Sequence, residues 1–428
     1  MNNANLQSLK KGIWFYFILL IIEGGLRRWF LPGLATPLLI IRDPLALYLL
    51  FNAIRFNVFP KDKMIPVMFC IGVISIFTAL FFGHGDLAVA FFGARILLIQ
   101  FPMLFLIGHI LDRSDVLQIG KVILWISIPM AILITIQFYS PQTAWVNKGV
   151  GDSLEGAGFG GANGYFRPPG TFSFISGLTA FFGLVACFVF YFWLQPHYVN
   201  KTVLIAATVA VIVSIPTSIS RTLFFEVAIS LFFFLWAKSS QPGFVKRMTQ
   251  LVVGFLVLFI VFSNVNALNT QIEVFTDRFT SANESEGGLE GVLLDRFLGG
   301  MVGAFENIDD SHAVFGQGIG MGTNVGSQLL AGKVVFLIAE EEWGRVIGES
   351  GILFGLSIIL IRISMTFKIA SKCYSRFKRG DSLPWMLLSF GFVILLRGYW
   401  SQPTLLGFYV LIGGLILASL REPEELID

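Results

Sequence analysis

The chain is built from apolar runs of about 17 to 25 residues, each closed by charge, Pro or Gly, and this spacing leaves few folds open. A hydrocarbon layer roughly 30 Å thick is crossed by about 20 helical residues, and a helix satisfies its own backbone polar groups there. Composition points the same way: 55% of the 428 residues are hydrophobic, 13% are charged and 45 are Phe, more apolar surface than a water-soluble fold can hide. The expected fold is an all-α integral membrane protein. Its expected transmembrane helices cover residues 13–31, 37–54, 64–82, 88–110, 117–139, 173–194, 202–219, 222–237, 250–268, 349–367, 385–401 and 403–420, about twelve in all.

Charge orients these spans. Alternate connections carry Lys10 and Lys11, then Arg55, Lys61 and Lys63, then Arg113 and Lys121, then Lys201, then Lys238, Lys246 and Arg247. Lys368, Lys372, Arg376, Lys378 and Arg379 form the densest group. Basic connections face the cytoplasm, so both termini are expected there. Residues 1–268 then read as spans one to nine with an external loop at 140–172. Residues 269–348 read as a large external loop, and 349–428 as the last three spans with a cytoplasmic C-terminus. Glu23, Arg27 and Arg28 follow the first apolar run where a small-residue cleavage site would stand, so the first helix is expected to be retained. Cys70, Cys187 and Cys373 fall in or beside spans with no metal-ligand spacing, and read as packing residues.

The remaining basic residues sit where the insertion rule would not put them. Arg27, Arg28, Arg42, Arg95, Arg167, Arg221, Arg278, Arg296, Arg345 and Arg397 map to external loops or the outer halves of spans, joined by Lys148 and Lys333. Arginine presents a planar fork of donors that matches phosphate oxygens and keeps its charge when partly buried. The outer side therefore reads as built to hold an anion. Arg95 and Arg397 lie within spans, where a charge costs at least a few kcal/mol and usually faces a polar cavity. Others have plainer readings. Glu23 with Arg27, and Arg42 with Asp43, are spaced as ion pairs that steady the ends of spans one and two. Arg278 beside Asp277 reads as a solvated pair.

The polar stretch 270–345 holds Gly316-Gln317-Gly318-Ile319-Gly320-Met321-Gly322 and the triple acid Glu340-Glu341-Glu342. A nucleotide-binding reading of the glycines fails, because no strand precedes them and no helix with a following acid fits. They read as a flexible turn that lets backbone approach a ligand. Trp145, Tyr165, Phe166, Trp343, Tyr399 and Trp400 read as an interfacial aromatic belt, with sugar stacking as an added role for some.

Four patches, in order, resemble the O-antigen ligases and O-antigen polymerases. Arg167-Pro168-Pro169-Gly170-Thr171-Phe172 looks like an Arg-x-x-Gly-Thr-Phe entry to a span. Ser218-Ile219-Ser220-Arg221-Thr222 is similar to a Ser-Arg-Thr-Gly turn, with Leu223 at the glycine. Asp295-Arg296, Phe305 and Phe315-Gly316-Gln317-Gly318-Ile319-Gly320 resemble an Arg, aromatic, Gly-x-Gly-x-Gly loop. Glu340-Glu341, with Ile347, Glu349 and Gly351, resembles His-Asn-x-x-Leu-x-x-Leu-x-Glu-x-Gly, the histidine and asparagine replaced by Glu340 and Glu341. The likeness covers residues 160 to 360. Glu23-Gly24-Gly25-Leu26-Arg27-Arg28-Trp29 and Arg42-Asp43-Pro44 also look like a pattern of this superfamily.

The resemblance implies a GT-C-like helical glycosyltransferase that moves a glycan from an undecaprenyl diphosphate carrier to an acceptor hydroxyl outside the inner membrane. Negative charge grows on the departing diphosphate, and fixed cations stabilise that charge more than the ground state. Arg221 and Arg296 with Arg167 are the expected cations, and Arg95, Arg397 and Arg345 the further substrate contacts. Glu340 stands at the position of the family's histidine and is the expected base. His312 is the competing base and otherwise a substrate contact. Glu349 reads as a helix N-terminal acid. No Asp-rich or His-rich metal site is visible, so no metal or cofactor is expected, and no nucleic-acid partner. Polymerisation of repeat units is the leading expectation. A ligase acting on lipid A core, a flippase or transporter, and a nonenzymatic assembly partner are the rivals. A flippase and a chain-length regulator would be partners.

Overall fold

The computed structural model describes residues 3–153, 156–239, 266–285, 313–332, 337–339 and 341–421. Its first helices are α1 (Asn3–Gly25), α2 (Ala35–Leu38), α3 (Arg42–Arg55), α4 (Met64–Phe81), α5 (Leu87–Arg95) and α6 (Phe101–Ile110). Next come α7 (Arg113–Tyr139), α8 (Ile175–Leu194), α9 (Lys201–Thr217), α10 (Arg221–Ser239) and α11 (Asn266–Ser285). Four more follow: α12 (Asn324–Ala331), α13 (Glu342–Lys378), α14 (Leu383–Arg397) and α15 (Pro403–Leu420). Among the described residues, eight helical stretches are long and apolar enough to cross a membrane, and α9 and α14 are shorter apolar helices. The protein is a helical multi-pass membrane protein. Residues 250–265 of the ninth expected span lie outside the described residues.

The packing suits an apolar solvent. Large side chains point outward from the peripheral helices, with Phe51 66%, Phe77 57% and Leu360 62% exposed, a surface that water would not tolerate at this density. The centre belongs to α8, α6 and α15. Glycines let α6 and α15 touch: a Cβ at Gly108 would lie 2.4 Å from Leu417 Cβ, and one at Gly414 the same distance from Ile107 Cγ2. Without a hydrophobic drive between helices in lipid, such close contact supplies the dispersion attraction that holds them.

The two expected external loops contain more order than their polarity suggested. In the 140–172 connection, β1 (Phe159–Gly160) and β2 (Phe166–Arg167) pair antiparallel, and Arg28 holds the base of the loop. Its Nε donates to Lys148 O at 2.7 Å, Nη1 to Gly170 O at 2.8 Å and Phe172 O at 3.3 Å, and Nη2 to Val146 O at 3.1 Å. Trp29 stacks on Trp145 beside it, centroids 5.6 Å apart. Residues 266–285 form α11 instead of loop, with Phe275 and Phe279 packed on Phe224 and Phe225 of α10. Asp277 accepts from Asn163 Nδ2 at 2.5 Å, which joins α11 to the hairpin and places Asp277 and Arg278 on a helix where a loop was expected.

The largest departure from expectation is α13. Gly351 interrupts it with φ 70° and ψ 179°, a conformation open in practice only to glycine. The arms on either side fold back on each other: a Cβ at Gly355 would lie 2.8 Å from Ile347 Cα and 3.1 Å from Val346 O. Residues 342–350 thus form a short arm about 13 Å long at 1.5 Å per residue, and the long arm runs on to Lys378. The expected tenth span, 349–367, lies within α13, and its apolar arm starts just past the break at Gly351.

Candidate functional site

Two clusters of buried ion pairs lie on either side of the N-terminal end of α15. The first joins α1, α3 and α5. Glu23 takes Arg42 at 3.0 Å and Arg27 at 3.8 Å, and Arg42 also donates to Pro403 O at 2.5 Å. Asp43 takes Arg95 at 2.9 Å and the Gln100 amide at 2.5 Å, and Gln100 in turn accepts from Tyr16 at 2.7 Å. Arg42 and Asp43, neighbours in sequence, therefore do not pair with each other. Each reaches a different helix, which corrects the reading of Arg42 and Asp43 as a local pair, while the expected Glu23–Arg27 pair one turn apart is present.

The second cluster is built by the break in α13. Glu342, fully buried, takes Arg345 at 2.9 Å on its own arm and Arg362 at 3.1 Å on the other. Arg345 also pairs with Glu349, and Arg397 with Glu341. Arg362 donates to Gly398 O at 2.8 Å, and its guanidinium lies over the Trp400 ring 4.1 Å from the centroid. Trp400 packs edge-on against Tyr409 of α15 and Phe101 of α6. Burying single charges would be prohibitive, and mutual pairing is what makes this interior stable.

The alternating glycines connect the clusters. Gln317 N donates to Gly348 O at 2.8 Å and Gly318 N to Glu349 O at 3.0 Å. A Cβ at Gly316 would lie 2.4 Å from Gly351 N, and one at Gly320 2.2 Å from Val89 O on α5. Gly322 N donates to the Glu349 carboxylate at 2.8 Å. Buried Gly316, Gly318 and Gly320 thus bring backbone against backbone, in the helix break and on the helix that carries Arg95. They are packing residues, which corrects the reading of a flexible turn open to ligand. Glu349 likewise serves Arg345 and Gly322 and caps no helix start.

Of the expected site residues, Arg95, Arg345 and Arg397 fall in these clusters. Arg167 lies on β2, its Nε on Gly160 O at 3.0 Å and its guanidinium 4.9 Å from the Phe159 ring. Arg221 opens α10, two residues beyond buried Ile219, against which the hairpin packs at Gly161. Arg167 and Arg221 thus lie on touching elements. Arg296, His312 and Glu340 lie outside the described residues. Sequence reasoning missed Glu342, Arg362, Gln100 and Tyr16 as partners. The spacing of Glu342, Arg345 and Glu349 by three and four residues was a readable helix signal, hidden by placing Glu342 and Arg345 in the loop before the span.

The clusters are not equal in charge. In the second, Glu341, Glu342 and Glu349 face three arginines; in the first, Glu23 and Asp43 face Arg27, Arg42 and Arg95. Arg95 Nε and Nη2, Arg362 Nε, Trp400 Nε1 and Tyr409 Oη are buried without a hydrogen-bond partner. Buried donors in that state are costly, and they suit an acceptor-rich anionic ligand. Among the described residues no three His, Cys, Asp or Glu side chains converge as a metal-ligand set.

What fold and site define is a helical membrane protein with a buried, arginine-rich interior site. The chain matches no family model, and no curated protein or solved structure matches it.

Proposed function

We propose that this chain is a membrane glycosyltransferase that polymerises undecaprenyl-diphosphate-linked oligosaccharide repeat units. The observation that carries the reading is Arg95: a buried guanidinium held by Asp43 at 2.9 Å, with Nε and Nη2 unpaired, in a cluster with one more arginine than carboxylates. A diphosphate leaving group develops charge as the anomeric bond breaks, and preorganised donors stabilise it without reorganising. In this reading Arg95 takes the leaving diphosphate with Arg221 and Arg296, while Arg167, Arg345 and Arg397 border the substrate. Glu340, or His312 in its place, accepts the acceptor hydroxyl's proton. A twelve-span chain in the bacterial inner membrane, with cytoplasmic termini and an outward-facing site, belongs to the same proposal. So do a flippase and a chain-length regulator as partners.

A ligase would use the same donor and differ in acceptor. A transporter is the second reading, favoured by one observation: the break in α13 brings Glu342 on the short arm against Arg362 on the long one, both buried, and broken helices with buried charges line transport paths. Glycan length in a deletion strain complemented at matched membrane expression separates the three. The proposal predicts a ladder with wild type and single repeat units on the acceptor with Arg95→Gln. Long chains stranded on the carrier in the deletion strain would identify a ligase. Repeat units accumulating on the cytoplasmic leaflet would identify a transporter.

A further inference from the structure

Glu226 is an acid inside a helix that spans the membrane. Both α10, which carries it, and α8, against which α10 packs, are long and apolar enough to cross. Glu226 lies five residues in from the start of α10 at Arg221, about 7.5 Å at 1.5 Å per residue. It is 8% exposed. A carboxyl in such a place normally has a cation or backbone donors beside it. Glu226 Oε2 is buried with no hydrogen-bond partner.

A glycine makes the space for that oxygen. A Cβ at Gly183 of α8 would lie 2.5 Å from Glu226 Oε2 and 2.8 Å from the Phe390 ring of α14, so the carboxyl sits where three helices meet. One turn further along α10, Ser230 and Ser389 share a buried hydrogen bond at 2.9 Å. Ser389 donates to Met386 O at 2.6 Å, which leaves Ser230 as the donor between the two. Both serine protons are then committed, and Ser230 can accept from Glu226 but not donate to it.

The titratable groups on the neighbouring elements are engaged elsewhere. On α8, Cys187 donates to Leu184 O at 3.0 Å, and Tyr191 lies beside Arg113. Arg397 of α14 pairs with Glu341, and Asp277 of α11 accepts from Asn163. Also on α11, Glu273 is exposed and Arg278 half-buried. Among the described residues none of these pairs with Glu226. An ionised Glu226 would thus be a buried charge with neither cation nor donor, a state that a membrane interior does not support. The neutral acid needs one acceptor, and Ser230 Oγ offers it.

We propose that Glu226 is a proton-binding site within the membrane, its carboxyl occupied by a proton that exchanges with water at the Arg221 end of α10. The site belongs to neither ion-pair cluster and is independent of the chemistry performed there.

Infrared spectroscopy of the full chain in nanodiscs at neutral pH tests this. Wild type should show the carbonyl stretch of a protonated carboxylic acid that E226Q lacks. E226Q should keep the wild-type unfolding midpoint, because its amide reproduces the shape and neutrality of the acid. In deuterium oxide the acid band should shift before the backbone amides of α8 and α10 exchange. A second readout needs no variant: dicyclohexylcarbodiimide, an apolar reagent for protonated carboxyls. The acid proton passes to a carbodiimide nitrogen, the carboxylate oxygen bonds to the central carbon, and an oxygen-to-nitrogen acyl shift leaves an N-acylurea with no leaving group. Peptide mass spectrometry should find the adduct on Glu226 and not on Glu23 or Glu342, which are paired with arginine. Identical acid bands in wild type and E226Q overturn the proposal, as does an adduct on Glu23 or Glu342 but not on Glu226. Loss of the band when sodium chloride replaces choline chloride makes this a sodium site and overturns the proton assignment. A band that shifts in deuterium oxide only on unfolding marks a trapped acid, and the exchangeable site fails.

Discussion

Glu342 and Arg362 are twenty residues apart in sequence and 3.1 Å apart in space, because the backbone reverses at Gly351. The reversal also decides where the 313–323 glycine segment docks, with Gln317 N on Gly348 O and Gly318 N on Glu349 O. A single left-handed glycine thus organises the second ion-pair cluster.

Gly351→Ala should therefore unfold this region. A Cβ there would lie 2.1 Å from Val314 O, at a φ of 70° that already disfavours any side chain. The expected loss is at least about 3 kcal/mol, from backbone strain and the clash with backbone together. Gly380→Ala is the control: its φ is 92° but a Cβ would meet nothing within 4 Å, so about 1 kcal/mol is expected. Unfolding midpoints in mixed micelles compare the two, and equal losses would contradict the assigned role.

The Glu342 and Arg362 charges should be coupled. Removing either by Glu342→Leu or Arg362→Leu strands a buried charge, at a cost of about 3 to 5 kcal/mol each. In the double variant the loss should fall short of the sum by about 1 to 3 kcal/mol. Strict additivity in the cycle would show that the pair does not interact in the membrane.

Arg28 should act as the clasp of the 140–172 connection. Arg28→Ala removes donors from four carbonyls and should speed proteolytic cleavage after Lys148 while the spans stay protected. Arg28→Lys should not restore protection, because an ammonium cannot reproduce the planar fork that reaches Lys148, Gly170, Phe172 and Val146 together. Unchanged cleavage in Arg28→Ala would contradict this.

Much of the helical frame was legible because the apolar runs set it locally. Residues 64–82, 117–139, 173–194 and 403–420 were expected as spans, and helices stand at Met64–Phe81, Arg113–Tyr139, Ile175–Leu194 and Pro403–Leu420. The short arm of α13 and its fold-back were not legible. Glu342, Arg345 and Glu349 make its sequence as polar as a loop, and the two carboxylates are balanced only once Arg362 on the other arm joins Arg345. Asp43 and Arg95 are 52 residues apart, and no local pattern announces such a partner. The abundance of arginine in and beside the spans was visible in the sequence, but its pairing with Glu23, Asp43, Glu341, Glu342 and Glu349 was mostly not. That arithmetic moves attention from Arg221 and Arg296 towards Arg95.

The central claim is tested most directly by turnover. The purified chain in nanodiscs would be given undecaprenyl-diphosphate-linked repeat units from its host, and free undecaprenyl diphosphate and glycans of two or more repeats followed by mass spectrometry. The account predicts that both products appear together with wild type and that Arg95→Gln, at unchanged folding, loses about 100-fold or more of the rate, the scale of one preorganised donor at a developing charge. Single repeat units that persist on the carrier with wild type, or full turnover by Arg95→Gln, would contradict it.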